Sequence, residues 1–262
     1  MIKILVIARM VWLETLRRKD LYVLLTLALA FLLTLMTLNI FGLRNLVGYV
    51  KETGLFLAWI FAWVLTIGVS VRQLPREERT GTIFSLLAKP VRRSELIIGK
   101  WLGAWSVAGA ATLLFYVLLA AIVIARGGNF NPALILEALC LHFCFIGVLS
   151  AMAIFFTTRL NGDAAATLTA VLSAASFLLL PQAPQILDDL SGWRKDGFMV
   201  VYYALPHLEL FDLRQRMVHD WETMRPGPFA AIILYGLLMT AIFLLLGWLA
   251  YRNKRFNREE IC

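Results

Sequence analysis

Long apolar runs separated by short charged stretches set the pattern of this chain. Read from charge to charge, six windows emerge: Leu21–Leu43, Thr53–Val71, Trp101–Ala125, Ala138–Thr158, Ala164–Leu187 and Pro228–Tyr251. A hydrocarbon core of roughly 30 Å needs about 20 apolar residues per helix, and these windows match that length. Backbone groups inside lipid must be paired within a helix or a closed barrel, and the windows are too long and too evenly apolar for barrel strands. The expectation is an all-α integral membrane protein with six transmembrane helices, the fifth cut short by Pro181 and Pro184.

Outside the windows, residues 1–20 interleave Leu5, Val6, Trp12, Leu13 and Leu16 with Lys3, Arg9, Arg17, Arg18 and Lys19, the pattern of an interfacial helix. The basic cluster follows the first apolar stretch, and no small-residue cleavage site is present, so these residues are expected to stay on the chain. The stretch 182–227 is too short to bury a core alone and is expected to pack on the mouth of the bundle as short helices.

Composition agrees with lipid as the solvent: 60% of the 262 residues are apolar, 16% are charged, and the mean hydropathy is +0.77. Charge then gives orientation. Six spans put 17 Lys and Arg on the side of both termini and 8 on the other, so both termini are expected in the cytoplasm. A basic inner face against anionic lipid accounts for the net charge of +8, and no nucleic-acid partner is needed.

Candidate chemistry is sparse. Cys140 and Cys144 lie in the fourth window, Cys262 is the last residue, and His142 points to another face of the fourth helix, so neither a disulfide framework nor a metal site is expected. In the stretch HLELFDLRQRMVHDW, His207, Glu209, Asp212 and His219 fit an amphipathic surface helix better than a metal site. No ionisable group is expected near the bilayer midplane, where proton- or sodium-coupled carriers place theirs. Glu137 and Asp163 sit at window boundaries, Asp163 as a helix N-cap. Gly99-Lys100-Trp101 lacks the upstream glycine and the following hydroxyl of a phosphate loop, so this chain is expected to bind no cofactor of its own. Ser70 lacks the glycine of an intramembrane serine protease, and no His-Glu-x-x-His helix is present.

The informative stretch is 72–100, between the second and third windows. Pro75 opens it, Glu77 and Glu78 suit a first helical turn, Gly81 permits a break, and Ile83, Phe84, Leu86 and Leu87 form an apolar face. Pro90 closes this part, and a second amphipathic segment runs from Ser94 through Gly99 into the third window. The reading is an elbow folded at the inner interface.

Glu77, Glu78, Gly81, Thr82, Leu86, Leu87, Pro90, Val91, Arg93, Gly99 and Lys100 resemble the signature of the permease subunits of type-2, exporter-like ABC transporters. That class includes the stand-alone permeases related to that of the nitrous-oxide reductase maturation system, which the chain resembles. It implies a single permease domain over 1–262 in a prokaryotic cell membrane, without catalytic residues. It also implies a second permease subunit, identical or related, and two copies of an ABC ATPase that carry ATP and Mg. Glu77, Glu78 and Arg79, with Gly81 and Thr82, would couple the ATPase to the helices. The alternatives are a transmitter of mechanical work to a partner beyond the membrane, and a carrier or channel that needs no ATPase.

A pathway lined by small or weakly polar side chains has three candidate stripes: Thr26, Ala30, Thr34 and Thr37; Trp59, Trp63, Thr66 and Ser70; Thr169, Ser173 and Ser176. The competing reading is that small residues let helices pack closely, as Gly99 and Gly103 would at the start of the third span.

Overall fold

The computed structural model describes residues 2–19, 22, 26, 27, 29–31, 34, 46–75, 92–189 and 191–252. Most of the first window, the stretch 76–91 and the tail 253–262 lie outside the described residues. The chain is an all-α membrane protein. Among the described residues, five helices are long and apolar enough to cross a membrane. In chain order the elements are α1 (Ile2–Leu16), α2 (Leu46–Ser70), α3 (Arg93–Ala125), α4 (Pro132–Thr157), α5 (Gly162–Leu179), α6 (Ala183–Asp189) and α7 (Trp193–Ala204). A 3-10 turn at Leu208–Phe211, α8 (Arg214–Val218) and α9 (Pro226–Arg252) complete the order.

The caps show why the helices begin where they do. Pro132 stands in the first turn of α4, and Asn131 accepts a hydrogen bond from Ala133 N at 3.1 Å. At α5 the cap is Asn161, whose side chain accepts from Ala164 N at 2.9 Å, and not Asp163 as expected. Asp163 lies inside the first turn, where its charge complements the helix dipole. The amphipathic segment at Ser94 is the beginning of α3 itself, with the Arg92 backbone N–H held by Glu95 Oε2 at 2.8 Å.

α4 is the axis of the bundle. Leu141, Phe145, Ile146, Leu149 and Met152 are fully buried, and α2, α3, α5 and α9 pack around them. Contact between helices depends on small residues and on indole N–H groups. Trp101 Nε1 and Trp105 Nε1 each donate at 3.0 Å to carbonyls of α4, those of Gly147 and Phe143. Trp63 Nε1 donates to Ser173 Oγ at 2.8 Å, joining α2 to α5. α9 touches the rest through a seam whose buried residues are Gly236, Thr240, Gly247 and Tyr251.

α1 lies against the first turns of α3. Ile7, Ala8, Val11 and Thr15 are buried on one face, while Leu5, Val6, Met10, Leu13 and Leu16 are exposed on the other. Gly99 and Gly103 make the approach possible: a Cβ at Gly103 would sit 2.6 Å from Val11 Cβ and 3.1 Å from the Ala8 carbonyl oxygen. Trp12 Nε1 adds a hydrogen bond to Ser106 Oγ at 2.8 Å. Gly103→Val should therefore push α1 off α3, at about 1–3 kcal/mol of stability. Thermal unfolding in detergent should show a lower Tm together with faster hydrogen exchange in residues 2–16. An unchanged Tm would refute the close-packing account.

Candidate functional site

The expected coupling residues Glu77, Glu78, Arg79, Gly81 and Thr82 lie outside the described residues, as do Leu86, Leu87, Pro90 and Val91. The structure does show what holds the two ends of that stretch. On the entry side, Leu74 is fully buried in a cluster with Ile7 of α1, Leu96 and Ile97 of α3, Ile154 of α4 and Tyr251 of α9. Beside it Gln73 is buried, with Nε2 donating to the Val69 carbonyl at 3.0 Å and Oε1 facing Lys100 Nζ at 3.4 Å. Lys100 itself is 2% exposed. A buried ammonium requires polar partners, and the carboxamide two residues upstream of Pro75 is one.

On the exit side, Arg93 donates from Nη1 to the carbonyls of Tyr251 and Arg252, at 2.7 and 2.8 Å. Both carbonyls belong to the last described turn of α9, so a guanidinium from α3 holds α9 there. Of the family-motif residues, Arg93, Gly99 and Lys100 thus converge on one junction: Arg93 ties α3 to α9, Gly99 admits α1, and Lys100 reaches the end of α2.

The candidate pathway residues divide. Thr66, Ser70, Thr169, Ser173 and Ser176 are all fully buried, and Trp63 is half-buried. Thr66, Thr169 and Ser173 hydrogen-bond carbonyls of their own helices, and Ser176 Oγ donates to the Pro206 carbonyl and accepts from Leu208 N. Thr26 and Thr34 are exposed, each donating to the carbonyl four residues earlier, and Thr37 lies outside the described residues.

At the opposite end the connection 182–227 departs from expectation. HLELFDLRQRMVHDW is not a surface helix: it breaks into the 3-10 turn and α8, and Leu208, Phe211, Leu213 and Met217 are buried. Phe211 reaches between α4 and α9, where a Cβ at Gly236 would lie 3.0 Å from its ring and 3.1 Å from Cys144 Cβ. The missing side chain at position 236 is what makes room for this plug. Ten residues of α9 precede Gly236, a depth of about 15 Å along the helix.

The plug also sets a charged pair from the connection, outside the spans, against α2. Asp212 and Arg214 form a paired contact, with Arg214 Nη2 to Asp212 Oδ2 at 2.6 Å and Nε to Oδ1 at 3.0 Å. The Arg214 guanidinium lies 5.5 Å from the ring centroids of both Phe56 and Trp59. Trp59 stacks on His142 at 4.3 Å, and His142 Nδ1 is 3.1 Å from the Tyr116 hydroxyl. His142 is therefore an ionisable group buried well inside α4, and Arg214, Tyr116 and His142 were not singled out by their local sequence as a group. Only the histidine in an apolar window signals it. Lys51, 3% exposed near the start of α2, pairs with Asp220 at 2.7 Å and covers the Phe130 ring.

Comparison with known proteins bears on the whole assembly. No curated protein matches the chain. Residues 15–203 match the family described as ABC-2 family transporter protein, a stretch that includes α2 to α6 and the motif region and ends within α7, before α9. With that match across most of its length, the chain belongs to the ABC-2 family of transporter proteins, as a permease component of an ABC transporter.

Proposed function

We propose that this chain is the transmembrane subunit of an exporter or flippase driven by a separate ABC ATPase. It pairs with a second permease subunit, the same or related, and engages two ATPase copies that hold ATP and Mg. Glu77, Glu78 and Arg79 on the stretch 76–91 are the contact with the ATPase, with Gly81 and Thr82 shaping the turn. The membrane is the cytoplasmic membrane of a prokaryote, with both termini inside, the excess of Lys and Arg on that side being the support.

One observation carries the coupling role. Both ends of 76–91 are anchored in a single junction to which α1, α3, α4 and α9 contribute, through Leu74 on one side and Arg93 on the other. A displacement of either end, at Leu74 or at Arg93, would act on the one junction that these helices share.

Reversing charge with Glu77→Lys and Glu78→Lys should leave insertion and expression intact while reducing ATPase stimulation by substrate at least about tenfold, a loss of about 1.4 kcal/mol in coupling. The measurement is ATPase activity and substrate flux of the co-purified complex in liposomes, and undiminished coupling sinks the assignment. Arg93→Ala removes two charge-assisted hydrogen bonds and should cost about 1.5–3 kcal/mol, read as a lower Tm of the detergent-solubilised protein. A Tm equal to that of the parent would mean that Arg93 does not secure α9.

For the pathway, we assign Trp63, Thr66, Ser70, Thr169, Ser173 and Ser176 to helix packing and keep Thr26, Thr34 and Thr37 as lining. The support is burial: the first group is enclosed between helices, whereas Thr26 and Thr34 face outwards. Single cysteines at Thr26, Thr34 and Thr37 should react with a water-soluble maleimide during turnover, and one at Thr169 should not. The opposite order of reactivity would reverse the assignment.

A further inference from the structure

Two adjacent charges near the start of α2 meet different fates. Lys51 turns inward, is 3% exposed and pairs with Asp220 at 2.7 Å. Glu52 turns outward and has neither a hydrogen bond nor an ion pair among the described residues. Tyr49, Glu52, Thr53 and Phe56 fall three or four residues apart and so share one face of α2. Across a cavity of about 510 Å³ from this face stand Arg214 and Gln215 of α8.

The lining decides what such a cavity can hold. Tyr49 and Phe56 are 42% and 51% exposed, so aromatic surface is open to a ligand one turn to either side of the carboxylate. Arg214 is the only cation among the described lining residues, and it is already matched. Asp212 accepts from its Nε and Nη2 at 2.9 and 2.6 Å, and the guanidinium lies 5.5 Å from the ring centroids of Phe56 and Trp59. Glu52 therefore leaves the cavity with one unmatched formal negative charge. A carboxylate flanked by aromatic rings suits a cation, because ring faces attract positive charge and an apolar body displaces water from them. An anion would meet Glu52 with no free countercharge, and a neutral apolar ligand would strip water from the carboxylate without replacing it. Size excludes a bare metal or alkali ion as the fitting occupant, since cavities of roughly 300–1,000 Å³ hold small organic molecules. The ammonium of a zwitterionic lipid headgroup brings a phosphate with it, and the lining has no unmatched cation to receive that phosphate.

We propose that the cavity between α2 and α8 binds an organic cation with an apolar or aromatic body, Glu52 facing the positive charge and Tyr49 and Phe56 packing against the body. The site uses no nucleotide and no partner chain, so it stands or falls apart from the coupling role proposed above.

The test is equilibrium dialysis of tritiated tetraphenylphosphonium against the purified full chain in dodecyl maltoside, with protein-free micelles as the blank. Saturable binding is expected, weakened at least about tenfold by Glu52→Gln and at least about threefold by Tyr49→Ala. Glu52 is exposed and unpaired, so Glu52→Gln should leave Tm unchanged and the loss is then local. Glu222→Gln removes a carboxylate of the connection outside the cavity and should leave the affinity unchanged. Tetraphenylborate, an anion of the same shape dialysed on its own, should not bind above the blank. Benzyltrimethylammonium should displace the bound cation, and phosphocholine at the same concentration should not. Absence of saturable binding, equal affinity in Glu52→Gln, or a loss in Glu222→Gln as large as in Glu52→Gln would overturn the proposal. Tetraphenylborate bound as tightly as tetraphenylphosphonium would overturn it by showing an apolar cleft indifferent to charge. Displacement by phosphocholine equal to that by benzyltrimethylammonium would overturn it in favour of a lipid headgroup.

Discussion

Polar groups surrounded by lipid have no water to turn to, so leaving one without a partner inside the protein is costly. The interior of this bundle follows from that. α5 buries Ala165, Thr169, Ser173 and Ser176 and exposes Leu168, Val171, Leu178 and Leu179, the reverse of a helix in a water-soluble protein. Indole N–H groups become cross-links for the same reason: Trp12, Trp63, Trp101 and Trp105 each donate to another helix. With hydroxyl and indole groups turned inward, the apolar effect no longer selects which helices meet. Shape does, through Gly99 and Gly103 under α1 and the Gly236, Thr240 and Gly247 seam of α9.

The two ends of the bundle are built differently on this base. One end is a junction held by Arg93 on the Tyr251 and Arg252 carbonyls of α9 and by the cluster of Ile7, Leu74, Leu96, Ile97, Ile154 and Tyr251. The other is closed by chain that enters from outside the helices, with Phe211 between Cys144 and Gly236 and Ser176 holding the backbone at Pro206 and Leu208. α3 spans from one to the other over 33 residues, about 50 Å of continuous helix. Neither α3 nor α4 has a proline beyond its first turn, so no proline kink interrupts either helix between the two ends.

Much of this architecture was legible in the sequence, because apolar windows of span length have few other uses. The windows for α5 and α9 begin within two residues of the helices themselves, and the fifth ends early, where Pro181 requires it. Three other starts were misplaced, and for one reason. Lys51 with Glu52, Lys100, and Glu137 each marked the edge of a window, yet all lie inside helices that begin earlier, at Leu46, Arg93 and Pro132. Remote partners accommodate three of them: Lys51 pairs with Asp220, Lys100 faces Gln73, and Glu137 accepts from Met224 N at 3.1 Å. A charge ends an apolar run in the sequence, but it ends a helix only if the fold gives it nothing to pair with. The motif residues Arg93, Gly99 and Lys100 were legible as a pattern, whereas their meeting with Tyr251, Ile7 and Gln73 required three dimensions.

The same distinction bears on what drives the protein. Reading the windows alone suggested a bundle free of charge, and the fold brings in Asp212 with Arg214 and encloses His142. Absence of charge from the apolar windows is therefore only part of the argument. Pairing supplies the rest: Arg214 is matched by Asp212 and lies over Phe56 and Trp59, and Lys51 is matched by Asp220, so neither cation stands ready to exchange with an ion in transit. Charges neutralised in place within a plug act as fasteners that specify how the connection seats in the helices. On the function proposed above, with hydrolysis on a partner chain, these charges would only have to stay paired while the helices around them move.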